Sequence, residues 1–95
     1  MATDDRITPT TFVKDPAAVL DYLIDWADWL DGDSIISSEW VPGGGLTVSS
    51  SSHTSTTATV WVAGGTIGKA GVTNHITTLG GRQNDWTLKF KVVET

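Results

Sequence analysis

Apolar and polar residues alternate most strictly near the end of the chain, where Trp86, Leu88, Phe90 and Val92 share one parity and Thr87, Lys89 and Lys91 the other. A two-residue period is that of a strand resting one face on a core. Val72–Leu79 alternates in the same way, and the stretch Gly80 to Asp85 between them carries turn chemistry. Upstream, Asp33–Trp40 is β-branched and alternating, with Pro42 and Gly43 to Gly45 closing it; Leu46–Ser50 makes a short strand, Ser51–Ser55 a polar loop, and Thr57–Ala63 a strand ending at Gly64 and Gly65. Short strands that recur at this spacing between Gly-rich turns predict an antiparallel β-sandwich of about seven strands rather than a parallel sheet with crossover helices.

One segment fits two periods. Asp15-Pro16 reads as an N-cap and first helical position, Leu20, Leu23, Ile24, Ala27 and Leu30 keep helical spacing, and Gly32 is placed to stop a helix. Leu20, Tyr22, Ile24 and Trp26 also alternate with Asp21, Leu23 and Asp25, so a strand followed by one helical turn at Ala27–Leu30 fits equally well. Residues 1–14 have little periodicity and contain Pro9, which makes them an N-terminal arm with a short strand at Thr11–Val13. Their polar composition predicts partial disorder in the free protein.

Length and composition narrow the functional classes. Ninety-five residues set one domain, residues 1–95, as the ceiling. Ser and Thr account for 23 positions and Gly for ten, which favours strands over helices. Six Lys and Arg against eleven Asp and Glu give a charge of −5, the wrong sign for a nucleic-acid backbone binder. The absence of cysteine excludes a disulfide scaffold and a thiolate site. No apolar run approaches the roughly 20 residues of a membrane span, and the acidic start at Met1–Arg6 does not resemble a leader, so the expectation is a soluble, unsecreted chain with neither a membrane nor a nucleic-acid partner. Charge is uneven: residues 1–40 carry nine acids and two bases, about −7, and residues 41–95 two acids and four bases, about +2. Opposite fields on one small module favour head-to-tail contacts between copies or oriented docking, although a solvated acidic face is the commoner explanation.

Candidate chemistry is thin. The aspartates from Asp25 to Asp33 invite a calcium reading, but alignment with an EF-hand run puts Ala27 and Trp29 where oxygen ligands belong and Ser38 where a bidentate Glu should be; solvated carboxylates and turn caps are the expectation. Gly64–Gly71 looks like a phosphate loop but has Ala63 in place of the first Gly and Ala70 in place of the hydroxyl residue after Lys69. His53 and His75 are the only bases of near-neutral pKa, and nothing pairs either with a serine or a carboxylate constellation. The chain therefore reads as a non-enzyme, with no catalytic, metal or cofactor residues and with the partner-binding residues unassigned. Trp26, Trp29, Trp40, Trp61 and Trp86 are core or interface anchors rather than a sugar platform, with Trp61 or Trp29 as the one to be exposed.

The string Leu20-Asp-Tyr-Leu-Ile-Asp-Trp-Ala-Asp-Trp-Leu-Asp-Gly-Asp-Ser-Ile35, followed by Ser37-Ser-Glu-Trp40, Leu46-Thr-Val48, Thr59 to Gly68 with its Gly-Gly-Thr-Ile-Gly, Val72-Thr-Asn74 and Gly80-Gly-Arg82, resembles the phage fibre–tail adaptor family of small tailed-bacteriophage virion proteins. The resemblance covers residues 14–92 and departs from the family at Lys69-Ala70-Gly71, where an aromatic residue is expected. It implies an immunoglobulin-like or similar β-sandwich, with Leu20–Trp26 as strand and Ala27–Asp31 as a helical turn. It further implies a structural part of the virion, assembled in the host cytoplasm, that joins other virion proteins and copies of itself in the tail or tail fibre. A capsid decoration protein and a carbohydrate-binding sandwich are the alternatives.

Overall fold

The computed structural model describes residues 11–94. Seven strands and one short helix follow in the order β1 (Thr11–Lys14), β2 (Leu20–Asp25), α1 (Ala27–Leu30), β3 (Ile35–Gly43), β4 (Leu46–His53), β5 (Thr57–Gly64), β6 (Gly68–Thr78) and β7 (Gln83–Val92). They form two sheets, a four-stranded one ordered β1-β7-β6-β3 and a three-stranded one ordered β2-β5-β4. This is the all-β sandwich that the alternation predicts. The two-period segment resolves as strand and then one helical turn, because Tyr22 and Ile24 pair with Val60 and Ala58 of β5 and turn inward with them.

The core lies between the sheets. Ile24, Val60, Val62, Val72, Ile76, Phe90 and Val92 are all buried, and each contributes about 1.5–3 kcal/mol of transfer free energy. The parity read from β7 holds: Leu88, Phe90 and Val92 are buried and Trp86 is packed against them. Phe12, Tyr22 and Phe90 close one end of the core, with ring centroids 4.9 to 5.6 Å apart. At the other end the indole N–H of Trp26 donates to the Asn74 side-chain oxygen at 3.0 Å, while the Asn74 amide donates to Ser38 Oγ at 2.8 Å and to the Glu39 carbonyl at 3.0 Å.

Several boundaries differ from the expectations. Pairing in the sandwich is not wholly antiparallel, since β1 runs parallel to β7, with Thr11 beside Lys89 and Lys14 beside Val92. Of the expected arm, residues 1–10 and their predicted disorder lie outside the described residues, whereas Thr11–Lys14 is this edge strand. Pro42 does not close β3, which continues to Gly43; β3 is a sheet edge, where a residue without an N–H costs no ladder bond. The serine stretch extends β4 to His53 instead of looping, because Ser51, Ser52 and His53 pair with Val60, Thr59 and Ala58. The turn before β7 is shorter than expected, with Gln83 to Asp85 already paired to β6. At Lys69-Ala70-Gly71, the small Ala70 accommodates the β3–β4 turn: a Cβ on Gly44, whose φ is +67, would sit 2.5 Å from Ala70 Cβ.

Candidate interaction surface

The two outward faces of the sandwich differ in charge. On the four-stranded sheet, register places Lys69 opposite Lys91 and Gly71 opposite Lys89, with Thr11 and Val13 of β1 alongside Lys89 and Lys91. The three lysines are exposed and line one open cleft together with Thr11, Gly68, Ala70 and Phe90. Like charges directly opposed across a ladder repel. Toward the other end of the same face, Glu39, His75 and Asp85 stand side by side across three strands, and the His75 imidazole Nδ1 hydrogen-bonds the Asp85 carboxylate. Between them the hydroxyls of Thr73 and Thr87 meet at 2.8 Å.

The outward face of the three-stranded sheet carries Asp21, Leu23 and Asp25 of β2, with Asp21 opposite Trp61 and Leu23 opposite Thr59 of β5. Trp61 is 42% exposed and Leu23 58% exposed. On the far side of Trp61 lies Ser50, just past a bulge in β4. Trp61 thus occupies the exposed position that its parity, opposite to that of Val60 and Val62, predicts. The other tryptophans serve the interior: Trp26 is fully buried, and Trp29, Trp40 and Trp86 are packed against the core.

Arg82 ties the helical turn to the β6–β7 connection. Its guanidinium lies 4.4 Å over the Trp29 ring, donates to the Leu30 carbonyl at 2.6 Å and reaches Asp33 at 3.1 Å. Asp33 also accepts from the Ser34 and Gly80 N–H groups. The Thr78 side chain, these two N–H groups and Arg82 together hold its carboxyl at about 2, against a smaller opposing effect of burial.

The residues singled out for possible chemistry are dispersed. Asp25 accepts from the Ala27 N–H and Asp31 adopts a left-handed backbone at φ 49, so they act with Asp33 in turns. Among the described residues, no group of three or more His, Asp or Glu side chains is arranged to hold a metal ion. In Gly64–Gly71, the glycines at 64, 65 and 68 have positive φ in the connection into β6, and Lys69 belongs to that strand. His53 and His75 stand on different sheets, and the His53 ring hydrogen-bonds the adjacent Thr54 carbonyl at 2.9 Å.

Two features escape the linear reading. Lys14, an apparent arm residue, is 1% exposed and sends its ammonium to the carbonyls of Gly64 at 2.6 Å and Asp15 at 3.0 Å. Burial pushes its pKa down, against the raising pull of the Asp15 charge. The lysine cluster was present in the sequence only as an excess of bases after residue 41; the β6–β7 register is what gathers it on one face.

Residues 14–91 match the profile of the family described as podophage GP4 fiber-tail adaptor protein gp77. The chain belongs to that family. A search of curated proteins found no match. The matched span starts at the buried Lys14 and runs to Lys91, so the adaptor family shares the sandwich itself, from the end of β1 nearly to the end of β7. Membership makes the chain a phage structural adaptor that associates with other virion proteins.

Proposed function

We propose that this chain is a non-enzymatic part of the phage tail, present in several copies, that joins the tail to its fibres through the outward faces of the sandwich. The single observation that carries this reading is the extent of the family match, 78 residues from 14 to 91, which takes in both outward faces. The exposed apolar residues on those faces and at their edges, among them Val13, Leu23, Val41 and Trp61, support protein contacts. The net charge of −5 supports protein rather than nucleic-acid partners. Assembly from the host cytoplasm into the virion, with no cofactor and no membrane contact, completes the proposal. An immunoglobulin-like description is supported by the strand partition, with β3, β6 and β7 in one sheet and β2, β5 and β4 in the other, although β1 joins β7 instead of β2.

The test is quantitative mass spectrometry on purified particles separated into heads and tails. The proposal expects the protein with tails, in a small multiple of the tail symmetry. Recovery with heads in far larger numbers would establish a decoration protein instead. A sugar-binding role would need Trp61 to act without a second exposed indole beside it, since Arg82 covers Trp29; a saturable fluorescence change with host glycans would support that role against the adaptor reading.

A further inference from the structure

The lysine cluster and the Asp21–Trp61 patch lie on opposite outward faces, so they cannot meet within one copy. Each carries what the other lacks. One offers Lys69, Lys89 and Lys91 beside Val13, which is 61% exposed; the other offers Asp21 on the edge strand β2 beside Leu23 and Trp61. Among the described residues, none of the three lysines has an ion-pair partner, and Lys69 and Lys91 face each other across the ladder. A carboxylate arriving from outside would relieve that repulsion, an ammonium can rest on the indole face of Trp61, and Val13 can cover Leu23.

We propose that the lysine face of one copy docks on the Asp21–Trp61 face of the next, a head-to-tail contact between identical chains. Because the two patches differ, the contact is heterologous: each copy keeps one patch free, and the association propagates until the geometry closes it. The second copy is favoured over an unrelated acidic partner because this chain presents the complementary charge and the complementary apolar residues on its own opposite face. The contact deepens the several-copies element of the proposed function, but it is measured on the isolated protein, so its failure leaves the tail–fibre position standing.

Two variants isolate the patches: Lys89→Glu with Lys91→Glu, and Asp21→Lys. All three side chains are exposed, so each variant should keep the fold, which circular dichroism will check. Sedimentation of the unaltered chain at up to millimolar concentration should show association that weakens as salt is added, because exposed charge pairs are screened. Each variant alone should remain monomeric. Mixed, they should associate again, because the first keeps the Asp21 patch, the second keeps the lysines, and the two reversed patches are themselves of opposite charge. Carbodiimide coupling of the unaltered chain should join Asp21 to Lys89 or Lys91 between copies. A chain that stays monomeric at low salt, or variants that associate alone as readily as the parent, would overturn the proposal. A lysine variant that is excluded from particles although the unaltered chain never self-associates would assign the lysine face to another virion protein.

Discussion

Asn74 sits in the middle strand row between Trp40 and Trp86 and accepts the indole N–H of Trp26, so it joins the two sheets through a fully buried polar contact. Asn74→Leu keeps the approximate volume and removes every hydrogen bond of that side chain. The Trp26 N–H is then buried without a partner, at about 1–3 kcal/mol, and the Ser38 hydroxyl and Glu39 carbonyl each lose a donor. A total near 3 kcal/mol follows, and at about 4–8 °C per kcal/mol for a domain of this size the melting temperature should fall by about 12–24 °C. Urea unfolding followed by circular dichroism measures the loss. Trp26→Phe supplies the control, because a phenyl ring needs no acceptor: adding Asn74→Leu to it should cost about 1–2 kcal/mol less than Asn74→Leu alone. Additive effects in that cycle, within about 0.5 kcal/mol, would refute the idea that this hydrogen bond fixes how the sheets meet.

Lys14→Ala should destabilise the fold by about 2–4 kcal/mol, through the lost stem packing and the two carbonyls left without their donor, as chemical denaturation will show. Because the folded-state pKa of Lys14 lies below its unfolded value of 10.5, the folded state binds fewer protons in the interval between them, so its contribution to stability rises with pH there; Lys14→Met should abolish that alkaline rise. Asp33 follows the same sign at the acid end: its carboxyl is held at about 2 against an ordinary 3.8, so its stabilisation is complete above 3.8 and is lost as the pH falls toward 2, and Asp33→Asn should flatten that acid limb in urea titrations. Gly44→Ala places a Cβ 2.7 Å from the Ala70 backbone at φ +67 and should cost more than Gly32→Ala, where φ is +90 but nothing lies within 4 Å; equal thermal shifts would show that strain alone matters.

Much of this architecture is legible in the sequence wherever one period acts alone. The β7 alternation names its buried residues because no competing helical spacing runs through Trp86 to Val92. Between Leu20 and Leu30 both periods are present, and the decision rests on β5, whose Ala58 and Val60 receive Ile24 and Tyr22 across a ladder invisible to local pattern. Edge positions hide for a similar reason. Pro42 and the serines of β4 carry turn-like chemistry, yet each occupies an edge strand with a partner on one side only, where that chemistry is tolerated. Lys14 reads as solvated because charge predicts exposure, and only the approach of the Gly64 carbonyl makes its burial possible. The candidate surface is the least legible part: Lys69, Lys89 and Lys91 become neighbours only through the β6–β7 register, and Asp21 meets Trp61 only through β2–β5.

The position of the protein in the particle is the central claim, and cross-linking mass spectrometry on intact virions tests it most directly. The account predicts cross-links from the lysines of this chain to tail and fibre proteins, and none to the major capsid protein. Cross-links confined to the capsid would contradict it.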